Sequence, residues 1–136
     1  MAPPRDDWNK VWLGVARAVA GRSSCIRDQV GAVLVVDNEF TYIGYNGPAS
    51  GKLNCDLGGC PRGLLTNEQL PHGSPFNGVV KCHAVHAEIN AVRKYLKHYR
   101  TVTPNVLLYT TREPCEQCWM DLEYLGFMRD QIVWED

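Results

Sequence analysis

The sequence predicts an α/β fold in which helices cover the faces of a sheet. Two observations carry that reading. The apolar period switches between that of a helix and that of a strand along the chain, in the order helix, hairpin, long loop, helix, strand, helix, strand. The chain has 136 residues, 45% of them apolar and 21% charged, which suffices for one domain with a real core and is short for two. The expectation is therefore one domain over residues 1–136.

Residues 6–20 place Trp8, Trp12, Leu13, Ala16, Val19 and Ala20 at helical spacing, with Asp6 or Asp7 available as a cap and Gly21 as a stop. The Trp8 and Trp12 pair reads as packing. Residues 30–36 are an almost continuous β-branched and apolar run, Asp37 and Asn38 supply a turn, and residues 40–45 are a second strand-like run. Together they read as a hairpin. From 46 to 81 Gly, Pro, Asn and Cys dominate and neither period persists, so this long loop is either functional or held by something other than a core. Helical spacing returns from 86 to about 99, through Ile89, Val92, Leu96 and Tyr99. Arg93, Lys94, Lys97 and Arg100 gather near its end, where cations favour the helix dipole, and read as a solvated face rather than a nucleic-acid patch. Residues 106–110 form a short buried strand, 115–125 a third helix stopped by Gly126, and 131–134 a last strand.

Charge and cysteine usage narrow the partners. Fourteen Lys and Arg against fifteen Asp and Glu leave a net charge of −1, so no basic field collects polyanions and long nucleic acids are disfavoured. No apolar run approaches the roughly 20 residues of a membrane span, and the opening MAPPRDDWNK lacks the apolar stretch of a secretion signal. The expected home is the cytoplasm, with no membrane partner. There, six cysteines with CxxC spacing point to metal rather than to three disulfides.

The chemistry concentrates in two motifs, HAE at 86–88 and PCEQC at 114–118. Cys115 and Cys118 are three apart, so at a helix start they lie on one side, where unpaired amides favour thiolates. With His86 they supply three corners of a zinc tetrahedron and leave the fourth for water, whose pKa a catalytic zinc lowers to about 7. Glu88 lies about 200° round an ideal helix from His86, so the two converge only if the site lies off the helix end. There Glu88 would take a proton from water, deliver it to the ring nitrogen beside the attacked carbon, and assist the departure of ammonia. A lone CxxC more often marks half of a structural zinc site, and a lone HxE marks nothing. Their succession, HxE and then PCxxC, is the signature of zinc-dependent nucleobase deaminases, so the pattern points to hydrolytic deamination.

Further segments extend the pattern: SSCIRDQVGAVLV at 23–35, GYNG at 44–47, HAEINAV at 86–92 and LYTTREPCEQC at 108–118. On them, from about Ser23 to Gly126, the chain resembles the cytidine and deoxycytidylate deaminase superfamily, and within it the dCMP deaminase family of phages and bacteria. The resemblance implies a three-layer α/β/α fold with a mixed central sheet and helices on both faces. It also implies removal of the 4-amino group of dCMP to give dUMP, zinc ligands His86, Cys115 and Cys118, and Glu88 as proton shuttle. Asn46 of GYNG would hold the sugar or ring, and Arg27, from its place in SSCIRDQVGA, would meet the phosphate. Two departures stand out. Pro48 precedes Ala49 where the family usually has a small residue and then Pro. The sequence also ends at Asp136, where relatives commonly continue into a fifth strand and helix, so four strands are expected, with an edge open to another subunit in a homo-oligomer.

Cys25, Cys55, Cys60 and Cys82 remain. Some dCMP deaminase relatives resemble the chain here too, with cysteine-rich loops around a second zinc, and four thiolates would close such a structural site and order the loop. His83 is the alternative ligand; free buried cysteines or a loop disulfide are the alternative to the site. Arg22, Arg27, Lys52, Arg62 and Lys81 around these cysteines compensate the thiolates or hold a substrate phosphate. Tyr42, Tyr45 and Tyr109 lie where they could stack on a pyrimidine, with packing the favoured reading. Rival functions are a dCTP or cytidine deaminase of the same fold, a tRNA adenosine deaminase, which TREPCEQC also resembles, and a non-catalytic zinc-binding module. Near-neutral charge argues against RNA, and Glu88 against a closed structural site.

Overall fold

A computed structural model describes residues 4–23, 29–47 and 86–135 of the chain. Cys25, Arg27, Cys55, Cys60, Cys82 and His83 lie outside the described residues, as does the long segment 48–85.

The first helix, α1 (Trp8–Ala20), starts where the Asp7 side chain accepts from Lys10 N at 2.8 Å and ends where Gly21 N–H turns back to Ala18 O. Asp7 rather than Asp6 is thus the cap, satisfying one of the donors every helix start leaves open. Ala16 and Val19 face the core, whereas Trp8 is 55% exposed and stacks on Trp12 at 5.7 Å. Trp12 in turn donates to Asn38 Oδ1 at 3.1 Å, tying the helix to the hairpin turn.

That hairpin joins β1 (Gly31–Val36) to β2 (Phe40–Tyr45). Asp37 and Asn38 both take positive φ, 55° and 56°, and Glu39 N donates to Val36 O at 3.0 Å. Two successive left-handed residues give the turn the twist that antiparallel strands need, and Asx residues tolerate that region best. On its other edge β1 pairs antiparallel with β3 (Val106–Thr110), which pairs parallel with β4 (Ile132–Trp134). The sheet order is β2-β1-β3-β4, so β1 is interior and all six of its residues are buried, which is why its sequence runs apolar rather than alternating.

Alternation along the strands sorts the core into two halves. Val33, Val35 and Tyr109, with Leu107 and Val133, meet Ala16, Trp12 and Leu13 of α1. Ala32, Leu34, Val106, Leu108 and Ile132 meet α2 (Ala87–Leu96) and α3 (Glu116–Tyr124) through Ala91, Val92, Tyr95, Trp119 and Leu122. Each fully buried aliphatic side chain stabilises the fold by about 1.5–3 kcal/mol, so both faces of the sheet are held by packing. The architecture is three layers, α/β/α, with a mixed sheet of four strands among the described residues.

Two glycines set how closely the layers approach. A Cβ on Gly31 would meet Ala16 O at 2.1 Å, and one on Gly44 would meet Ala87 O at 2.3 Å and Ala91 N at 2.5 Å. Helix backbone therefore lies directly on strand backbone at the sheet end where α2 begins. The edge strand β2 is closed by the same helix: Asn90 Nδ2 donates to Tyr45 O and Lys94 Nζ to Ile43 O, each at 2.8 Å. These two carbonyls are thereby withdrawn from edge-to-edge pairing.

Two boundaries differ from the sequence expectation. Helix α2 stops at Leu96 rather than near Tyr99, because the N–H groups of Lys97 and His98 bond three residues back, to Lys94 O and Tyr95 O. The last strand begins at Ile132 because Gln131 closes a single 3-10 turn, Arg129–Gln131. Its side chain is spent there, accepting from Met128 N at 2.9 Å and donating to Thr103 O and Val106 O at 3.0 Å each.

Candidate active site

Both helices on the α2/α3 face begin at the same place. His86 is the N-cap of α2 and Cys115 the N-cap of α3, with Cys118 in the first turn. The Cys115 thiol accepts from Cys118 N at 3.4 Å, serving as the cap itself, whereas His86 makes no side-chain cap bond and turns its ring outward from its own helix. His86 Nδ1 lies 3.0 Å from Cys118 Sγ and 3.5 Å from Cys115 Sγ. The three ligand atoms lie within 4.8 Å of one another.

This donor set fits zinc. Zn–S bonds of about 2.3 Å and Zn–N bonds of about 2.0–2.1 Å at tetrahedral angles place neighbouring ligand atoms roughly 3.5–3.8 Å apart. The 3.5 Å between His86 and Cys115 meets that spacing, and the 3.0 Å between His86 and Cys118 reaches it by opening about half an ångström. One imidazole and two thiols are also the soft and borderline donors that zinc takes, and three protein ligands leave a position for water. The electrostatics agree. A hydrogen bond from Cys118, followed by one from His86, holds the Cys115 thiol down to about 3. Cys118 is pushed up, first by that same bond to Cys115 and then by burial. A metal takes cysteine as thiolate, so a dication bound between the two would displace their protons. His86 is raised by its bond to Cys115, against the effect of burial.

Glu88 completes the arrangement. It is buried, 4% exposed, in the first turn of α2 and lies against Cys118. Burial is the largest influence on its carboxyl group and raises it above the usual carboxylate range. Because the site sits off the helix mouth, His86 and Glu88 converge despite their opposed directions on the helix wheel. A carboxyl that is neither a cluster ligand nor exposed can accept and return a proton.

Asn46 follows β2 immediately and is buried, bonded through Oδ1 to Val30 N at 2.8 Å. It sits two residues beyond Gly44, which presses on the first turn of α2. The tyrosines divide. Tyr109 is fully buried on the α1 face, opposite the site, and donates to Asn9 Oδ1 at 2.8 Å. Tyr42 packs on Tyr95, Tyr99 and His98 along the later part of α2, and Tyr45 lies 6.0 Å from Lys94 Nζ. Packing accounts for Tyr42 and Tyr109. Sequence reasoning overlooked Ser23 and Thr110. Ser23 is bonded to Asn46, a pairing between the exit of α1 and the end of β2 that no local period announces. Thr110, five residues before Cys115, faces the α2/α3 side with a fully buried hydroxyl that has no hydrogen-bond partner among the described residues.

Residues 6–133 match the family described as the cytidine and deoxycytidylate deaminase zinc-binding region. The chain belongs to that family. Among curated relatives of this family member, the deoxycytidylate deaminase of Mycobacterium phage D29 is 43% identical over 115 residues, which cover 84% of each chain. The deoxycytidylate deaminase of Schizosaccharomyces pombe is 34% identical over 122 residues, 90% of this chain but 35% of that protein. The fold is the α/β deaminase fold. The crystal structure of the dCMP deaminase of cyanophage S-TIM5, in apo form, superposes with a TM-score of 0.68 at 22% identity, over 97% of this chain and 85% of that one. No helix among the described residues is long and apolar enough to cross a membrane.

Proposed function

We propose that the chain hydrolyses dCMP to dUMP and ammonia, as one deaminase domain over residues 1–136. The observation that carries the proposal is Glu88: a buried carboxyl, raised by its surroundings, beside a three-ligand cluster that does not use it. Family membership and the deoxycytidylate deaminase of phage D29, at 43% identity, support the substrate.

His86, Cys115 and Cys118 would hold the zinc. When bound, zinc supplies Lewis acidity that makes a water nucleophilic near neutral pH. Glu88 takes one proton from the attacking water as its oxygen bonds to C4, and passes that proton to N3. It then moves the remaining hydroxyl proton to the 4-amino group, the C4–N bond breaks, and ammonia leaves with C4 as a carbonyl. A raised pKa suits both halves of this cycle, because the group must be base and acid in turn. Asn46 would hold the sugar or ring from the end of β2, and Arg27 would meet the phosphate. Cys25, Cys55, Cys60 and Cys82, with His83 as the alternative ligand, would hold a second, structural zinc. The enzyme would act in the cytoplasm as a homo-oligomer.

The test is a panel: dCMP, CMP, dCTP, cytidine and a tRNA anticodon stem, each offered to the zinc-loaded chain. The highest kcat/KM is expected on dCMP; turnover of none, or of the RNA alone, contradicts the proposal. Metal analysis should return two zinc ions per chain. One ion, with Cys25 and Cys55 freely alkylated in the native state, removes the second site.

A further inference from the structure

Ser23 stands just past α1, its N–H bonded to Ala20 O at 3.0 Å, and it is buried although polar. Its hydroxyl oxygen lies 2.6 Å from Asn46 Oδ1 and 2.7 Å from the Asn46 backbone oxygen. Both are acceptors, so the single hydroxyl proton is aimed at Asn46. The N–H of Val30 donates to the same Oδ1 at 2.8 Å, and Asn46 N–H answers to Val30 O at 3.2 Å. A backbone N–H can only donate, so the carboxamide end it meets is the oxygen. The opposite rotamer would set NH2 against N–H, donor against donor. Oδ1 therefore faces β1 and the exit of α1, and Nδ2 projects away from them.

The place of this carboxamide matters. Gly44, on the same side of β2, lies against Ala87 and Ala91, and Asn46 is one strand repeat further on, roughly 6.8 Å. That puts Asn46 at the end of the sheet where α2 begins and where His86 caps it.

We infer that Ser23 is a positioning residue for substrate: together with Val30 N–H it locks the Asn46 carboxamide so that Asn46 meets the nucleotide as a hydrogen-bond donor, its partner an oxygen acceptor on sugar or ring. The inference rests on the reading of Asn46 as a substrate contact. Ser23 itself does not touch the nucleotide. Losing its hydroxyl frees rotation of a group that binding needs held, which costs affinity in ground and transition state alike.

Steady-state kinetics on dCMP with Ser23→Ala, Ser23→Thr, Asn46→Ala, Asn46→Asp and the Ser23→Ala/Asn46→Ala double variant decide the matter. Ser23→Ala should raise KM about tenfold and leave kcat within about twofold, the signature of lost uniform binding. Ser23→Thr, which keeps the hydroxyl, should restore KM. Asn46→Asp retains the acceptors for Val30 and Ser23 but has no donor, so its kcat/KM should fall as far as that of Asn46→Ala. The double variant should be no worse than Asn46→Ala, since residues acting through one contact do not add. An unchanged KM in Ser23→Ala, a multiplied loss in the double variant, or a fully efficient Asn46→Asp each overturns the inference. Should Ser23→Ala fail to fold, Ser23→Cys, close in shape but a far weaker donor, takes its place with the same expected rise in KM, and an unchanged KM overturns the inference. A wild-type chain that does not turn over dCMP overturns the functional reading and this inference with it; an active wild type with an unaffected Ser23→Ala overturns the inference alone.

Discussion

His86 Nδ1 and Cys118 Sγ lie 3.0 Å apart although 32 residues of sequence separate them. The contact exists because α2 and α3 pack side by side on one face of the sheet and start at the same end. Two helix N-termini thus aim their positive ends at one point, where two cysteines and a buried carboxyl are concentrated.

Removing one ligand should therefore remove the metal. Cys118→Ala leaves a two-ligand site, and metal analysis should show one zinc ion fewer per chain, with dCMP turnover below detection. Chelation of the wild type should abolish turnover, lower the melting temperature by several degrees and be reversed by zinc, since a ligand bound only by the folded state stabilises it by mass action. Full zinc content in Cys118→Ala would contradict the assignment.

Gly44 is the spacer that lets β2 reach the first turn of α2. Gly44→Ala puts a Cβ 2.3 Å from Ala87 O, backbone that cannot yield without moving His86 and Glu88. The expected cost is about 1–3 kcal/mol in denaturant unfolding, as for other overpacked sites, with a fall in kcat at full zinc loading. An equally stable and active variant would show that the close approach is not required.

Much of the site was legible in the sequence because metal chemistry needs particular side chains at particular spacings. HAE and PCEQC named His86, Glu88, Cys115 and Cys118, and the structure brings all four together. The helices and strands were legible too, since each buries a face whose period survives in the sequence. Boundaries were less so: Gln131 sits within a strand-like run, yet its side chain closes a turn before the strand. Ser23 and Thr110 were not legible, because their roles arise from pairing between distant segments rather than from local pattern. The remaining cysteines and Arg27 lie outside the described residues.

Thr110 offers a test of packing apart from chemistry. Its hydroxyl is fully buried and unpartnered among the described residues, so the fold carries its desolvation with no return. Thr110→Val keeps the shape and deletes that group. Unfolding in urea should show a gain of about 1 kcal/mol with unchanged m-value. A loss of stability would mean that the hydroxyl is bonded in the folded protein.

The central claim is that Glu88 carries protons for hydrolysis beside a zinc it does not ligate. Its most direct test is single-turnover deamination of dCMP by Glu88→Gln, with zinc measured on the same sample. Gln keeps the shape and removes the titrating group. The rate should fall by about 10²–10⁴, the usual contribution of a positioned acid–base group, while zinc content stays at the wild-type value. Undiminished turnover by zinc-loaded Glu88→Gln would contradict the account.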